Sequence, residues 1–565
     1  MPSEVSIHST KLLDEIDVSL FKNIIGFDLG HGEFSVSCVS DDKLDIPKCV
    51  EINNKKSQIT AVAITQNDEV FIGEGAITTF RKIKELWVGF KRRPNGNPEF
   101  NYKIQMLFNK AIQKSVAGNK IELTADTLIL VGCPSEWSKD NQREYQNILE
   151  ETFSEPLEQQ PKVLVIPESR AALQFAKVSH NFSIKELQTS TVVLLDFGSS
   201  TVDMTLLQIG KDIHDLDFGC DLGAFLLDEL IFCKIINLLD EKERDDYCNY
   251  LKYNTLNIGR CLLKARELKE SYFIIEQHDF KENVPLDKGG VDLESEDGDY
   301  YPLSFKLTMG QIRKLIYETK LGHIEESVHN WHFPEELFFF PPPEYSNFSY
   351  FDALTRFIEA ANEKLEGNYY KSKVTKTLIT GGAARMGLVN KITESVFSQA
   401  SSVSMNEPEI NVALGLAYRG RAEVLSARYV RDVDDQIFSN IKTMIKEHRD
   451  KLYILVTKDI TKSIEKIINK EVENACKNNA KPEDLVEKCS KSVDHWISDG
   501  YLKSKVKSAT EKWFTSNITD RLNDLLYQIS ILHSMGAITI EKETALRMAK
   551  SININPMVNL LTVEL

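Results

Sequence analysis

No apolar run in this 565-residue chain approaches the ~20 residues that a membrane-crossing helix needs, so a helical anchor is not expected. A basic start followed by an apolar core is also missing. Met1 to Lys22 carries Glu4, Asp14, Glu15 and Asp17 instead, so no secretory leader is expected and the expected compartment is the cytoplasm. No Cys-x-x-Cys pair occurs among the nine cysteines. That odd number falls on apolar stretches such as Ile231-Phe232-Cys233 and Gly132-Cys133-Pro134, which reads as buried reduced thiols rather than a disulfide or metal framework. An excess of positive charge is absent as well: 68 Lys and Arg face 84 Asp and Glu, a net charge of −16. This argues against nucleic acid as the main partner, because phosphate binding needs a basic surface, although a local basic patch is compatible with it.

What is present is the composition of a soluble globular protein, 42% hydrophobic and 27% charged, in a chain too long for one core. Two or more domains are expected. From 22 to about 190 strand-like and helix-like patterns alternate, as in an α/β lobe. Within it the polar, amphipathic stretch from about 95 to 120 reads as a helix.

The most informative stretch is Ile24-Ile25-Gly26-Phe27-Asp28-Leu29-Gly30-His31-Gly32-Glu33-Phe34-Ser35, whose layout recurs at Val192-Val193-Leu194-Leu195-Asp196-Phe197-Gly198-Ser199-Ser200-Thr201-Val202-Asp203. In each copy an apolar run reads as a buried strand, an Asp sits at its end, small residues turn the chain, and alternation resumes. Each copy is a hairpin with a carboxylate at its mouth. Small residues at 30, 32, 198, 199 and 200 let backbone amides approach an anion, and two facing hairpins suit a polyphosphate. A third element, Thr377-Leu378-Ile379-Thr380-Gly381-Gly382-Ala383-Ala384-Arg385-Met386, reads as a buried strand ending in paired glycines against which a flat base could lie.

Through these segments, residues 22 to 425 resemble the actin-like ATPase superfamily, and within it the seventy-kilodalton heat-shock chaperones most closely. Four more segments carry the likeness: Val131-Gly132-Cys133-Pro134-Ser135-Glu136-Trp137-Ser138 with Gln142-Arg143, Val165-Ile166-Pro167-Glu168-Ser169-Arg170-Ala171-Ala172, Leu222-Gly223-Ala224, and Pro408-Glu409-Ile410-Asn411-Val412-Ala413-Leu414-Gly415. The resemblance implies a two-lobed actin-like (ribonuclease H-like) α/β fold. It places lobe I at 22–190, lobe II at 191–385 and a return segment at 386–425, after an N-terminal extension at 1–21.

It also implies ATP or ADP with Mg²⁺ between the lobes. Asp28, Glu168 and Asp196 would surround a hydrated ion and orient its waters. Gly30, His31, Gly32, Gly198, Ser199, Ser200, Thr201 and Gly223 would meet the phosphates. Gly381, Gly382, Ala383 and Arg385 would meet the adenosine, with Lys264 and Glu267 supplying charges on a helix near 254–274. Thr201 would touch the γ-phosphate, and Asp203 and Lys91 would position or deprotonate the attacking water, Arg92 being the rival for the lysine's place. Departures point to slow or tuned hydrolysis. His31 and Glu33 stand where the family has small hydroxyl residues and Asn, and a carboxylate near phosphate is repulsive unless it faces the metal or solvent. Ala383 replaces a serine, and Ser199-Ser200 replace two glycines.

Outside the likeness, residues 276 to 300 read as a solvated hairpin or loop, with Glu294, Glu296, Asp297 and Asp299 close together. Between about 320 and 375 the chain is longer than the family needs, and Trp331-His332-Phe333-Pro334 and Phe338-Phe339-Phe340-Pro341-Pro342-Pro343 either pack on their own domain or form an exposed partner site. After a helix to about 425, the family's acidic, leucine-rich linker and peptide-gripping β-sandwich are not visible. Instead Ile437, Ile441, Ile445, Leu452, Leu455, Ile460, Ile464, Ile467 and Ile468 recur at helical spacing. Further helices are expected near 482–498, 500–515, 517–534 and 541–550, with an apolar tail holding Val558, Leu560, Leu561 and Val563. Residues 426–565 therefore read as an all-α C-terminal domain.

The function expected from the resemblance is a chaperone-like ATPase switch that acts on a protein partner through 426–565, the 331–350 insert being a second candidate surface. A filament-forming actin-like ATPase, a small-molecule kinase of the same fold and an inactive scaffold are the alternatives.

Overall fold

The computed structural model describes residues 17–40, 46–79, 82–119, 123–135, 137–153, 160–179, 191–208, 217–254, 256–278, 280–369, 374–405 and 407–532. The expected helix at 541–550 and the apolar tail lie outside them. These residues form a mixed α/β unit from Leu20 to Ala422 and a helical unit from Glu423, which Asp17–Ser19 joins. No described helix is long and apolar enough to cross a membrane.

The α/β unit has two main sheets. The first is built from β1 (Asn23–Leu29), β2 (Glu33–Ser40), β3 (Lys48–Cys49), β4 (Ser57–Ile59), β8 (Thr127–Cys133) and β9 (Lys162–Pro167), in the order β3-β2-β1-β8-β9 with β4 paired to β2. Between them in the chain, β5 (Ala61–Thr65), β6 (Val70–Ile72) and β7 (Ile83–Val88) make a small sheet of their own. The second main sheet runs β12-β11-β10-β15-β16, from β10 (Thr191–Phe197), β11 (Val202–Gln208), β12 (Asp217–Cys220), β15 (Lys376–Thr380) and β16 (Ser401–Ser404). A hairpin of β13 (Pro285–Glu294) and β14 (Tyr300–Thr308) occupies the acidic stretch around 276–300.

The two main sheets share one plan: an antiparallel hairpin, a short antiparallel edge strand, and two parallel strands on the other flank. The repeat seen in 12 residues of sequence thus extends to the whole sheet. Its physical basis is visible in the strands. β8 and β10 are buried along their full length, which requires the uninterrupted apolar runs Leu-Ile-Leu-Val and Val-Val-Leu-Leu. In both hairpins the carboxylate sits one residue before the strand end, Asp28 opposite Ser35 and Asp196 opposite Asp203.

β16 adds residues 401–404 to the second sheet, so the part of the expected return segment before 405 stays with that lobe. The chain then enters one helix, Asn411–Glu447, of 37 residues, where the sequence reading placed an end near 425. The start of this helix packs against both lobe I and its neighbouring helix Glu168–Val178: a Cβ on Gly26 would lie 2.3 Å from the Ala413 carbonyl, and one on Gly415 only 1.9 Å from that of Ala171. Only glycine allows backbones that close.

The aromatic insert packs on its own lobe. Phe333 and Phe338 are buried, and Trp331, Phe339, Phe340 and Tyr345 lie against the same core. In the helical unit, Leu452, Val456 and Ile460 of the Arg449–Asn478 helix meet Val506, Ala509, Trp513 and Phe514 of the Tyr501–Asn517 helix. Helices Pro482–Ser498 and Thr519–Leu532 complete the described bundle. Ser19 is tied to this unit, its carbonyl and hydroxyl accepting from Arg428 and Arg431.

Candidate functional site

The two hairpin turns face each other. A Cβ on Gly32 would come 2.7 Å from the Ser199 hydroxyl, so the turns approach within van der Waals contact at this point. Between the lobes lies a cleft of about 1250 Å³. Asp28, Glu168 and Asp196 line it, as do Gly30, Gly32, Gly198 and Ser199. Among the described residues the amides of Gly32 and Ser199 make no backbone hydrogen bond, unlike those of Gly30 and Gly198, which close the turns onto Glu33 and Thr201. Uncommitted amides at two turns flanking one cleft are donors for an anion.

The Gly381–Arg385 segment forms another wall. Gly381 has φ of 90° and packs against Asp196, where a Cβ would sit 2.3 Å from a carboxylate oxygen, while a Cβ on Gly382 would meet nothing within 4 Å. Lys264 and Glu267 also line the cleft and pair with each other at 3.0 Å, and Arg385 pairs with Glu409 at 2.7 Å.

Lys91 is buried and placed on Glu168, its Nζ 2.8 Å from a carboxylate oxygen and 3.4 Å from the Gly132 carbonyl. Arg92 points elsewhere, donating to the Phe338 carbonyl. Burial alone would lower the Lys91 ammonium, but Glu168, with Tyr145 and Asp28 behind it, reverses this and holds the group charged. Burial, reinforced by Glu168, pushes Asp196 up to about 7 and raises Asp28 well above the carboxylate range, Lys91 opposing both. Three carboxylates against one ammonium leave a surplus of negative charge in a poorly solvated place, an arrangement a divalent cation relieves. Among the described residues no three His, Cys, Asp or Glu side chains converge closely enough to ligate a metal directly. An ion held there would be reached through its waters, as a hydrated Mg²⁺ would be.

Other expected site residues are near this cleft without lining it. Thr201 donates to Asp203 at 3.1 Å, and both are buried at the start of β11. Gly223 lies against the second turn: its amide donates to the Ser200 carbonyl, and the next two amides donate to Gly198 and Ser199. These three donors are already committed to holding the turn. His31 is 1% exposed, with its ring packed among aromatic residues rather than toward the cleft.

Glu33 does not confront an anion alone. It is paired with Arg266 and accepts from the Ser57 hydroxyl at 2.6 Å; burial raises its carboxyl, but Arg266 and Ser57 together keep it below the usual range. Arg266 also donates to the Gly32 carbonyl, tying the Leu256–Glu276 helix to the first turn. Its charge was legible in the sequence, but its partner 233 residues away was not.

No model of a known protein family matches the chain, and no curated protein matches it.

Proposed function

We propose that the chain is a Mg²⁺-dependent ATPase of the actin-like superfamily, related in layout to the seventy-kilodalton heat-shock chaperones, and that it works as a slow nucleotide switch. The observation that carries this reading is the pair of matched hairpins, each with a carboxylate and an uncommitted turn amide, facing one cleft. Phosphates would lie against Gly32 and Ser199 and the base against Gly382. Mg²⁺, oriented through its waters by Asp28, Glu168 and Asp196, would supply charge neutralisation for the phosphoryl group. Lys91, buried and held charged on the cleft-lining Glu168, would position the attacking water, with Asp203 behind it at the second hairpin. The protein partner would meet the helical unit, where Ile454, Val486 and Ile497 are exposed large apolar side chains.

The test is equilibrium binding and turnover of ATP with and without Mg²⁺, in the intact protein and in Asp196→Ala, combined with sedimentation velocity in each nucleotide state. Mg²⁺-dependent binding, turnover lost in the variant and a nucleotide-dependent change of shape without polymer are expected. Normal turnover in Asp196→Ala would overturn the site. Polymer that forms only with ATP would replace the switch with a filament.

A further inference from the structure

Resting on that reading, we propose that His31 and Phe339 are positioning residues for Lys91, and that the aromatic insert supplies this brace. The carbonyl of Lys91 lies 3.2 Å from Nδ1 of His31. A carbonyl only accepts, so Nδ1 carries the proton and Nε2 is a bare lone pair, with no hydrogen-bond partner among the described residues. The ring is gripped edge-on from two sides, by Phe225 at 4.3 Å and by Phe339 at 4.5 Å between centroids. On a third side Gly89, with φ of 59°, leaves just enough room: a Cβ there would fall 2.6 Å from Nε2. Burial, then the nearby Arg92, hold the imidazole neutral, with its pKa lowered to about 3.

The insert holds the next residue. Arg92 lies over the Phe339 ring at 4.7 Å and donates to the Phe338 carbonyl at 2.7 Å. Phe339 is fixed in turn by its amide, which donates to the buried Glu229. The backbone at 91 and the side chain at 92 are thus clamped by groups from the first turn, from the Phe225–Asn237 helix and from the insert. That clamp sets where the Lys91 side chain starts. A lysine carries ~2 kcal/mol of rotamer entropy, so an ammonium held on Glu168 depends on a fixed backbone. The insert contributes to the chemistry although it never enters the cleft.

The experiment measures acylation of individual lysines by mass spectrometry in the full-length protein without nucleotide, and kcat and KM for ATP alongside. The variants are His31→Leu, Phe339→Leu and His31→Asn, whose amide can donate to the same carbonyl. His31→Leu and Phe339→Leu are expected to raise Lys91 labelling about tenfold with the buried Lys269 still protected. They should also lower kcat by about tenfold or more with KM little changed, since a shift near 1 Å can cost about 10²-fold. His31→Asn is expected to restore protection of Lys91. Unchanged Lys91 labelling in both Leu variants overturns the proposal. Should His31→Leu expose Lys269 as well, that variant has unfolded its lobe; Phe339→Leu and His31→Asn then decide, and labelling of Lys91 in His31→Asn equal to that in His31→Leu overturns it. Labelling reads the brace without turnover. A wild-type protein that hydrolyses no ATP but shows the labelling pattern would refute the ATPase reading alone.

Discussion

Replacing Asp196 by Asn should stabilise the nucleotide-free protein at alkaline pH and do little in acid. The Asp196 carboxyl rises from its ordinary 3.8 to about 7 in the fold, chiefly through burial and then through Glu168. Between those values the folded chain holds a proton that the unfolded chain has released. Stability therefore falls as pH rises across that window and is fully reduced above pH 7. The gap of about 3 pH units, at ~1.4 kcal/mol each, amounts to about 4 kcal/mol. Asn carries no charge to desolvate. It also relieves Asp28, which Asp196 helps to raise, so both effects have one sign. Calorimetric unfolding of wild type and Asp196→Asn in chelator, at pH 5 and pH 8, measures the difference. The variant should unfold several degrees higher at pH 8, and the advantage should shrink toward pH 5. Mg²⁺-ATP should narrow the pH 8 gap from the wild-type side, because a cation replaces the missing proton. A variant no more stable than wild type at pH 8, or an advantage independent of pH, would refute the electrostatic argument.

Lys91→Ala should leave Mg²⁺-ATP binding largely intact while slowing single-turnover hydrolysis by about 10²-fold or more; if binding is lost, the lysine holds nucleotide rather than water. Gly415→Ala should lower the denaturant midpoint of the α/β unit, because its Cβ would sit 1.9 Å from a backbone oxygen. Overpacking of ~1–3 kcal/mol or more outweighs the ~1 kcal/mol gained in helix propensity, and a midpoint that rises would contradict this. Trp513→Ala empties the centre of the helical bundle and strands the His448 carbonyl it donates to at 3.1 Å, so a loss of ~3–5 kcal/mol is expected. Hydrogen exchange should show it confined to residues beyond 422.

The parts of the site that local chemistry dictates were legible. An apolar run, an Asp and small turn residues suffice to mark both hairpins, and paired glycines after Thr377–Thr380 mark the third wall. The architecture around them is mixed α/β with a helical region after it, as the alternating and then helical periodicities indicate. What stayed hidden depends on long-range neighbours. Nothing near His31 in the chain announces Phe225 and Phe339, and nothing near Glu33 announces Arg266, so one was read as a phosphate contact and the other as a repulsive charge. The length of the Asn411–Glu447 helix does have a local signal: no proline interrupts that stretch.

The parallel pairing of β10 with β15 joins Val192 to Lys376, and the Thr191 amide reaches the Thr375 hydroxyl across 184 positions. During synthesis at ~5–20 residues per second, β10 leaves the ribosome roughly 10–40 s before its partner exists. Through that interval Val192-Val193-Leu194-Leu195 is an open strand edge made of residues meant for a dry interior. The first lobe, whose β1 pairs with β8 only as far on as Val131, completes its central pairing much earlier. Lobe II is thus the half of the nascent chain whose strand edge stays open longest.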